Sequence, residues 1–143
     1  MRAAVVERYG PPEVARVVDV DHPGQPSKDG VVVRVRSAAV NSGDARVRGA
    51  NFPPGFGVPA RLAFGLRGPR RPVLGNAFAG EVEAVGPGVT GLDVGDRVCG
   101  MTGTRMGAHA EHLRIKASKV VPVPDAVSED DAAGVLFGGT TAL

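Results

Sequence analysis

Residues 72–100 read PVLGNAFAGEVEAVGPGVTGLDVGDRVCG, and this stretch decides the fold. Glu81-Val82-Glu83-Ala84-Val85 alternates polar and apolar, the period of a strand with one face buried. Gly86-Pro87-Gly88 ends that strand, because proline fixes φ and the flanking glycines take positive φ at little cost. Gly91, Gly95 and Asp96 mark further turns before Arg97-Val98-Cys99 resumes as strand.

The same punctuation extends in both directions. Segments 2–7, 14–20, 31–36, 81–85, 96–100, 109–115 and 119–123 all read as strands. Val31-Val32-Val33-Arg34-Val35-Arg36 is the plainest, with β-branched residues followed by alternation. Many short strands separated by glycine and proline indicate a sandwich or barrel, so the expectation is a mainly β domain with one or two short helices. The 21 Gly and 12 Pro are then turn chemistry rather than disorder. Residues 51–71 are the least regular: Phe52-Pro53-Pro54-Gly55-Phe56-Gly57 reads as loop and Ala60 to Leu66 as a short helix. Ser128 is a natural N-cap followed by Glu129, Asp130 and Asp131, acids that the positive end of a helix favours. That helix runs on through Ala132, Ala133, Val135, Leu136 and Phe137, and Gly138-Gly139 is expected to interrupt it. The apolar residues after it suggest that further polypeptide follows.

Composition narrows the function classes. With 143 residues, 43% apolar and 22% charged, the chain suits one domain with a real core. Trp is absent and aromatics are 4%, so that core rests on Val, Leu, Ala and a few Phe. No apolar run spans a bilayer and no signal-peptide core opens the chain, so no membrane partner is expected and the cytoplasm is the expected compartment. A net charge of +2 implies no nucleic-acid partner. Arg61, Arg67, Arg70 and Arg71 do cluster, either as a solvated loop or as an electrostatic guide for an anionic ligand or partner surface. The single cysteine, Cys99, excludes an internal disulfide and any multi-cysteine zinc site, and burial is its default role. His109 and His112, three apart on a strand, are expected to face opposite ways and so not easily to share an ion; ordinary surface or partly buried histidines, with no metal role, are the expectation.

Five pieces in order resemble the N-terminal, GroES-like domain of the medium-chain dehydrogenase/reductase superfamily. They are MRAAVVERYGPPEV, VVVRVRSAAVNSGD, GEVEAVGPGVTGLDVGDRV, GAHAEHLRI and AAGVLFGGTTAL. The resemblance implies a twisted β-barrel over residues 1–127. It also implies a helix, 128–143, leading toward a nucleotide-binding Rossmann domain. Zinc-dependent members hold catalytic zinc through a Cys, a His and a distal Cys or Asp, ligands that suit the ion. The corresponding positions here are Asn41, Asn76 and Phe137, and the cysteine-rich structural-zinc lobe is missing. The chain therefore resembles the zinc-independent quinone oxidoreductase-like and enoyl reductase-like branch, which reduces quinones or electron-poor double bonds with NADPH.

That resemblance assigns the candidate residues. Asn41 and Asp44 are the catalytic candidates: Asn41-Ser42-Gly43-Asp44 is also good Asx-turn chemistry, and Asp44 is expected to support the loop by hydrogen bonds. Arg46 and Phe52 fall where some zinc-free members place a tyrosine, and with Asn76 they are the expected substrate-pocket residues. Ala77 stands where many members have an acid, and Thr141 where a threonine approaches the nicotinamide. No strand–GxGxxG–helix, the loop that cradles a dinucleotide's pyrophosphate, occurs in these residues. One hydroxyl such as Thr141 contributes ~1 kcal/mol net, against the roughly −4 kcal/mol that even millimolar affinity requires. The expectation is therefore little NADPH binding, and little activity, by this chain alone. Partners implied are a small-molecule substrate and either a second copy or a nucleotide-binding polypeptide. A non-enzymatic small-molecule-binding or protein-interaction module, and a truncated inactive paralogue, stay open as alternatives.

Overall fold

The computed structural model of the protein describes all 143 residues. Its strands are β1 (Arg2–Val6), β2 (Ala15–Asp19), β3 (Gly30–Ala39), β4 (Ala77–Val85), β5 (Arg97–Met101), β6 (His112–Lys116) and β7 (Val120–Pro122). Its helices are α1 (Ser42–Gly49), α2 (Gly57–Phe64) and α3 (Glu129–Ala142). Five strands form one antiparallel sheet in the order β6-β3-β4-β5-β7, and β1 with β2 forms a separate hairpin. The hairpin is laced to the larger sheet's margin by Ala4 N–H to His109 O and Val6 N–H to Pro72 O, both 2.8 Å. No helix is long and apolar enough to cross a membrane.

Period-two alternation divides the sheet's side chains between two layers. Val31, Val33, Phe78, Val82, Val98, Leu113, Ile115 and Val120 belong to the main core. The residues between them, Ala79 and Cys99, face the other way and are covered by Ala132 and Ala133 of α3, with Val123. Small side chains on both partners let the helix lie close. A third cluster of Val6, Val47 and Leu74 joins β1 to α1, with Phe52 and Phe64 packed against it. β3 breaks register with β4 between Val32 and Val33 and again between Val35 and Ser37. Such irregularities bend a strand and sharpen its twist, which wraps the sheet around the core.

All seven expected strands are present, with shifted ends. β4 begins at Ala77 rather than 81, because Ala77-Phe78-Ala79-Gly80 is buried on both faces and shows no alternation. β6 begins at His112 rather than 109; the residues before it turn to meet β1. Three helices replace the expected one or two, the addition being α1. The helix expected over 60–66 runs from Gly57 to Phe64. Gly138-Gly139 does not interrupt α3, which continues to Ala142. Each glycine costs a helix about 1 kcal/mol against alanine but blocks no hydrogen bond. Gly88 takes no positive φ, and neither does Gly86. Gly86 is needed for room: a Cβ there would collide with the carbonyl oxygens of Ser27 and Lys28.

The start of α3 is fixed by Ser128, whose Oγ accepts the Asp131 N–H at 3.1 Å. Arg97 on β5 reaches it with Nε to Glu129 Oε1 at 2.8 Å and Nη2 to Val127 O at 2.7 Å. The Arg97 hydrogen bond holds the Glu129 carboxyl below the usual carboxylate range. A carboxyl lowered by folding stabilises the fold above its unfolded pKa, and that contribution fades as pH falls through the folded value. Thermal melts below about pH 4.5 should therefore fall less steeply with pH for Glu129→Gln than for the parent. Phe78, fully buried, should cost about 3–5 kcal/mol when changed to alanine, read by denaturant unfolding.

Candidate functional site

The polar constellation of the molecule lies where α1 begins, beside the Leu74–Ala77 approach to β4. Asn41 is the N-cap of α1 and Asp44 its third residue, and the two cap reciprocally. Asn41 Oδ1 accepts the Gly43 N–H at 2.9 Å, and Asp44 Oδ2 accepts the Asn41 N–H at 3.0 Å. The turn chemistry expected for Asn41–Asp44 is thus the opening of a helix. Its signal was legible as an N-cap followed three residues later by an acid.

Asp44 is buried, and its other oxygen accepts the Gly75 N–H at 3.2 Å. Gly75 has φ +91°, and a Cβ on it would lie 2.7 Å from His109 N. Only glycine lets His109 approach this closely. His109 Nε2 lies 3.3 Å from Ala39 O and 3.9 Å from Asp44 Oδ2. His109 is the member of this group that sequence reasoning missed, because its place depends on strand β6 starting three residues later than its pattern suggests.

Asn41 Nδ2 donates to Asn76 Oδ1 at 2.7 Å. Residue 137 also arrives here: a Cβ on Gly43 would lie 3.6 Å from the Phe137 ring. The fold therefore gathers positions 41, 76 and 137, as the resemblance implied, but fills them with two amides and a phenyl ring. Neutral amides already bonded to each other, with no thiolate or imidazole, do not fit a catalytic zinc. What they offer is donors. Asn76 Nδ2 makes no hydrogen bond within the chain and is not among the sealed polar atoms. Asn41 Nδ2 retains a second N–H.

The other candidates lie outside this group. Arg46 is exposed on α1. Phe52 stacks on Phe64, ring centres 5.9 Å apart, and packs against the third apolar cluster. Thr141 is exposed near the end of α3, its hydroxyl donating to Phe137 O at 2.6 Å. Of the clustered arginines, Arg61 lies over the Tyr9 ring at 5.6 Å. Arg70 and Arg71 border a cavity of about 630 Å³ together with Arg105, Arg114, Lys116 and Lys119, and no carboxylate lines it. None of Asn41, Asp44, Asn76 or His109 lines that cavity.

The alcohol dehydrogenase GroES-like domain matches residues 27–125. The chain belongs to this family. Within it, the GroES-like chain is similar to a quinone oxidoreductase of Pseudomonas aeruginosa, 37% identical over 133 residues, which cover 93% of this chain and 36% of that protein. It is 33% identical over 141 residues to a trans-enoyl reductase from a Pyrenochaetopsis species, 93% of this chain and 34% of that one. Among solved structures it superposes on Escherichia coli quinone oxidoreductase complexed with NADPH, with TM-score 0.80, 27% identity, and 99% and 39% of the two chains covered. The chain thus spans little more than a third of the length of these relatives. It is the N-terminal, GroES-like domain of the quinone oxidoreductase-like branch of the medium-chain dehydrogenase/reductase superfamily.

The hydroxyl of Thr141 is already engaged within its helix, and no helix opens on a glycine-rich loop after a strand.

Two outcomes test this local account. Asn41→Ala removes a cap worth about 1 kcal/mol and should lower denaturant stability by about that amount or more. Cys99 lies beneath α3, and burial pushes its thiol pKa up. It should react far more slowly with a disulfide reagent at neutral pH than the same chain unfolded in urea.

Proposed function

We propose that this GroES-like chain is the substrate-side half of an NAD(P)H-linked reductase of quinones, enones or related carbonyl compounds. We further propose that the Asn41–Asn76 amide pair receives the substrate's carbonyl oxygen. The observation that carries this reading is the pair itself: two amides locked together at 2.7 Å by a buried capping carboxylate, with N–H groups left over.

Adding hydride to the carbon of an enone or quinone moves negative charge onto its oxygen. Donors fixed in place beforehand stabilise that charge without reorganising. Asn41 cannot rotate freely, because its Oδ1 is held by the first N–H groups of α1. Asp44 and His109 position the pair rather than react: one caps the helix and bonds Gly75, the other packs on Gly75. Arg46 and the 51–71 segment would form the outer wall of the cleft, with Phe56, Val58 and Leu62 offering exposed apolar surface to a ring or acyl chain. A proton completing the reduction would come from water, since Phe52 has no hydroxyl.

The substrate-side domain 1–127 and the helix 128–143 divide the labour in this reading. The barrel shapes the substrate side, and α3 leads toward polypeptide that seats the dinucleotide. No catalytic zinc takes part. A non-enzymatic binding module is the second reading. It is favoured by the cation-lined cavity, which lies apart from the amide pair.

The test is a pair of titrations on this chain. NADPH, followed by its fluorescence, should not saturate below millimolar concentration. An enone or quinone should shift the side-chain amide resonances of Asn41 and Asn76 in NMR, and Asn76→Ala should abolish the shift at Asn41. Tight NADPH binding, or substrate shifts confined to the 630 Å³ cavity, would overturn the proposal.

A further inference from the structure

Three metal-ligand side chains converge on the outer face of the five-stranded sheet, away from the amide pair. His112 opens β6 and pairs in register with Arg34 of β3, so both point away from the core that holds Val33 and Leu113. Glu83 is the extra residue of the β3–β4 irregularity: Val82 faces Val33 and Ala84 faces Val32, leaving Glu83 opposite no residue. A bulge of this kind re-aims a side chain. His22 comes from the segment between β2 and β3. His22 Nε2 lies 3.3 Å from Glu83 Oε1, and His112 Nε2 lies 2.9 Å from Glu83 Oε2. The two imidazole rings stand 4.7 Å apart, tilted by 56°. One ligand atom from each residue lies within 4.8 Å of the other two.

These separations suit an ion. Metal–ligand bonds of about 2.1 Å in a tetrahedral zinc site place ligand atoms about 3.4 Å apart. Glu83 meets the two rings with different oxygens, so its carboxylate would turn to give one oxygen to the ion or hold it with both, and the ligand atoms, now within 4.8 Å of one another, would draw in around it. Imidazole and carboxylate together suit zinc, nickel or copper and leave a position for water.

The hydrogen bonds around the rings set the strength. Coordination through Nε2 requires the ring proton on Nδ1. His22 Nδ1 now accepts the Gly24 N–H at a long 3.2 Å, a contact that would be given up. His112 Nδ1 is sealed from solvent and has no partner, so there is no bond to lose but also no acceptor to orient the ring. Arg34 and Arg114 share this face by register. These features argue for micromolar rather than nanomolar affinity.

We propose that His22, Glu83 and His112 form a site for a zinc-class divalent ion that clips the 20–29 segment to the sheet. This site is independent of the reductase reading and of the catalytic-zinc positions of the family. An ion bound only by the folded chain raises its melting temperature with the logarithm of free metal.

The experiment is calorimetric titration of zinc chloride into the untagged full chain, with cobalt(II) absorption as a second probe of coordination. His22→Asn and Glu83→Gln serve as variants, since both side chains are more than one-third exposed and carry little packing. The expected result is one saturable site per chain, weakened about tenfold or more in each variant. At the same free zinc, the rise in melting temperature should be larger in the parent than in either variant. Absence of saturable binding, or equal binding by both variants and the parent, would overturn the proposal. In the first case the cluster is a plain hydrogen-bonded clasp; in the second the ion sits elsewhere.

Discussion

The buried carboxylate of Asp44 is the constraint on which the site depends. One oxygen closes the cap of α1 by taking the Asn41 N–H, and the other takes the Gly75 N–H from a segment 31 residues away. A carboxylate this deeply buried is stable only with its lone pairs satisfied. The two bonds therefore fix the position of α1 against the approach to β4. Asn41, itself anchored through its N–H, and Asn76, one residue beyond the anchored Gly75, are brought into hydrogen-bond contact as a consequence. The helix is only eight residues long and gains little from its own composition. Its place comes from this tether and from Val47, buried against Val6 and Leu74.

Around that tether the sheet separates two tasks. One face encloses the Val-rich core, and the other seats α3 on alanines. The approach of α3 carries Phe137 toward Gly43, so the third corner of the site comes from the end of the chain rather than from the barrel. Arg97 and Ser128 fix where that helix starts, and so how far along it Phe137 falls.

Much of this was legible in the residues and some was not, for physical reasons. The alternation of Glu81–Val85 and the triple valine at 31 announce strands because each has one face buried or is β-branched throughout. Ala77–Gly80, buried on both faces, has no alternation to detect. The helix α1, SGDARVRG, holds two glycines and few apolar residues, so only its capping pair announces it. His109 and His112 have different neighbours, but only His112 lies on β6, so strand alternation is not the reason. Neither histidine's real neighbours, Asp44 in one case and His22 with Glu83 in the other, follow from spacing. They arise from a bulge and a late strand start, which depend on how the whole sheet closes.

In the proposed reading the domain contributes donors fixed in place rather than reagents. In this chain the fixed donors are amide N–H groups. The most direct measurement of their role is the carbonyl stretching frequency of an enone bound to the protein, taken by difference infrared spectroscopy. The account predicts a shift to lower frequency on binding, reduced when Asn76 is replaced by alanine and reduced again when Asp44 is replaced by asparagine. A bound carbonyl with its free-solution frequency, or a shift untouched by either change, would contradict it.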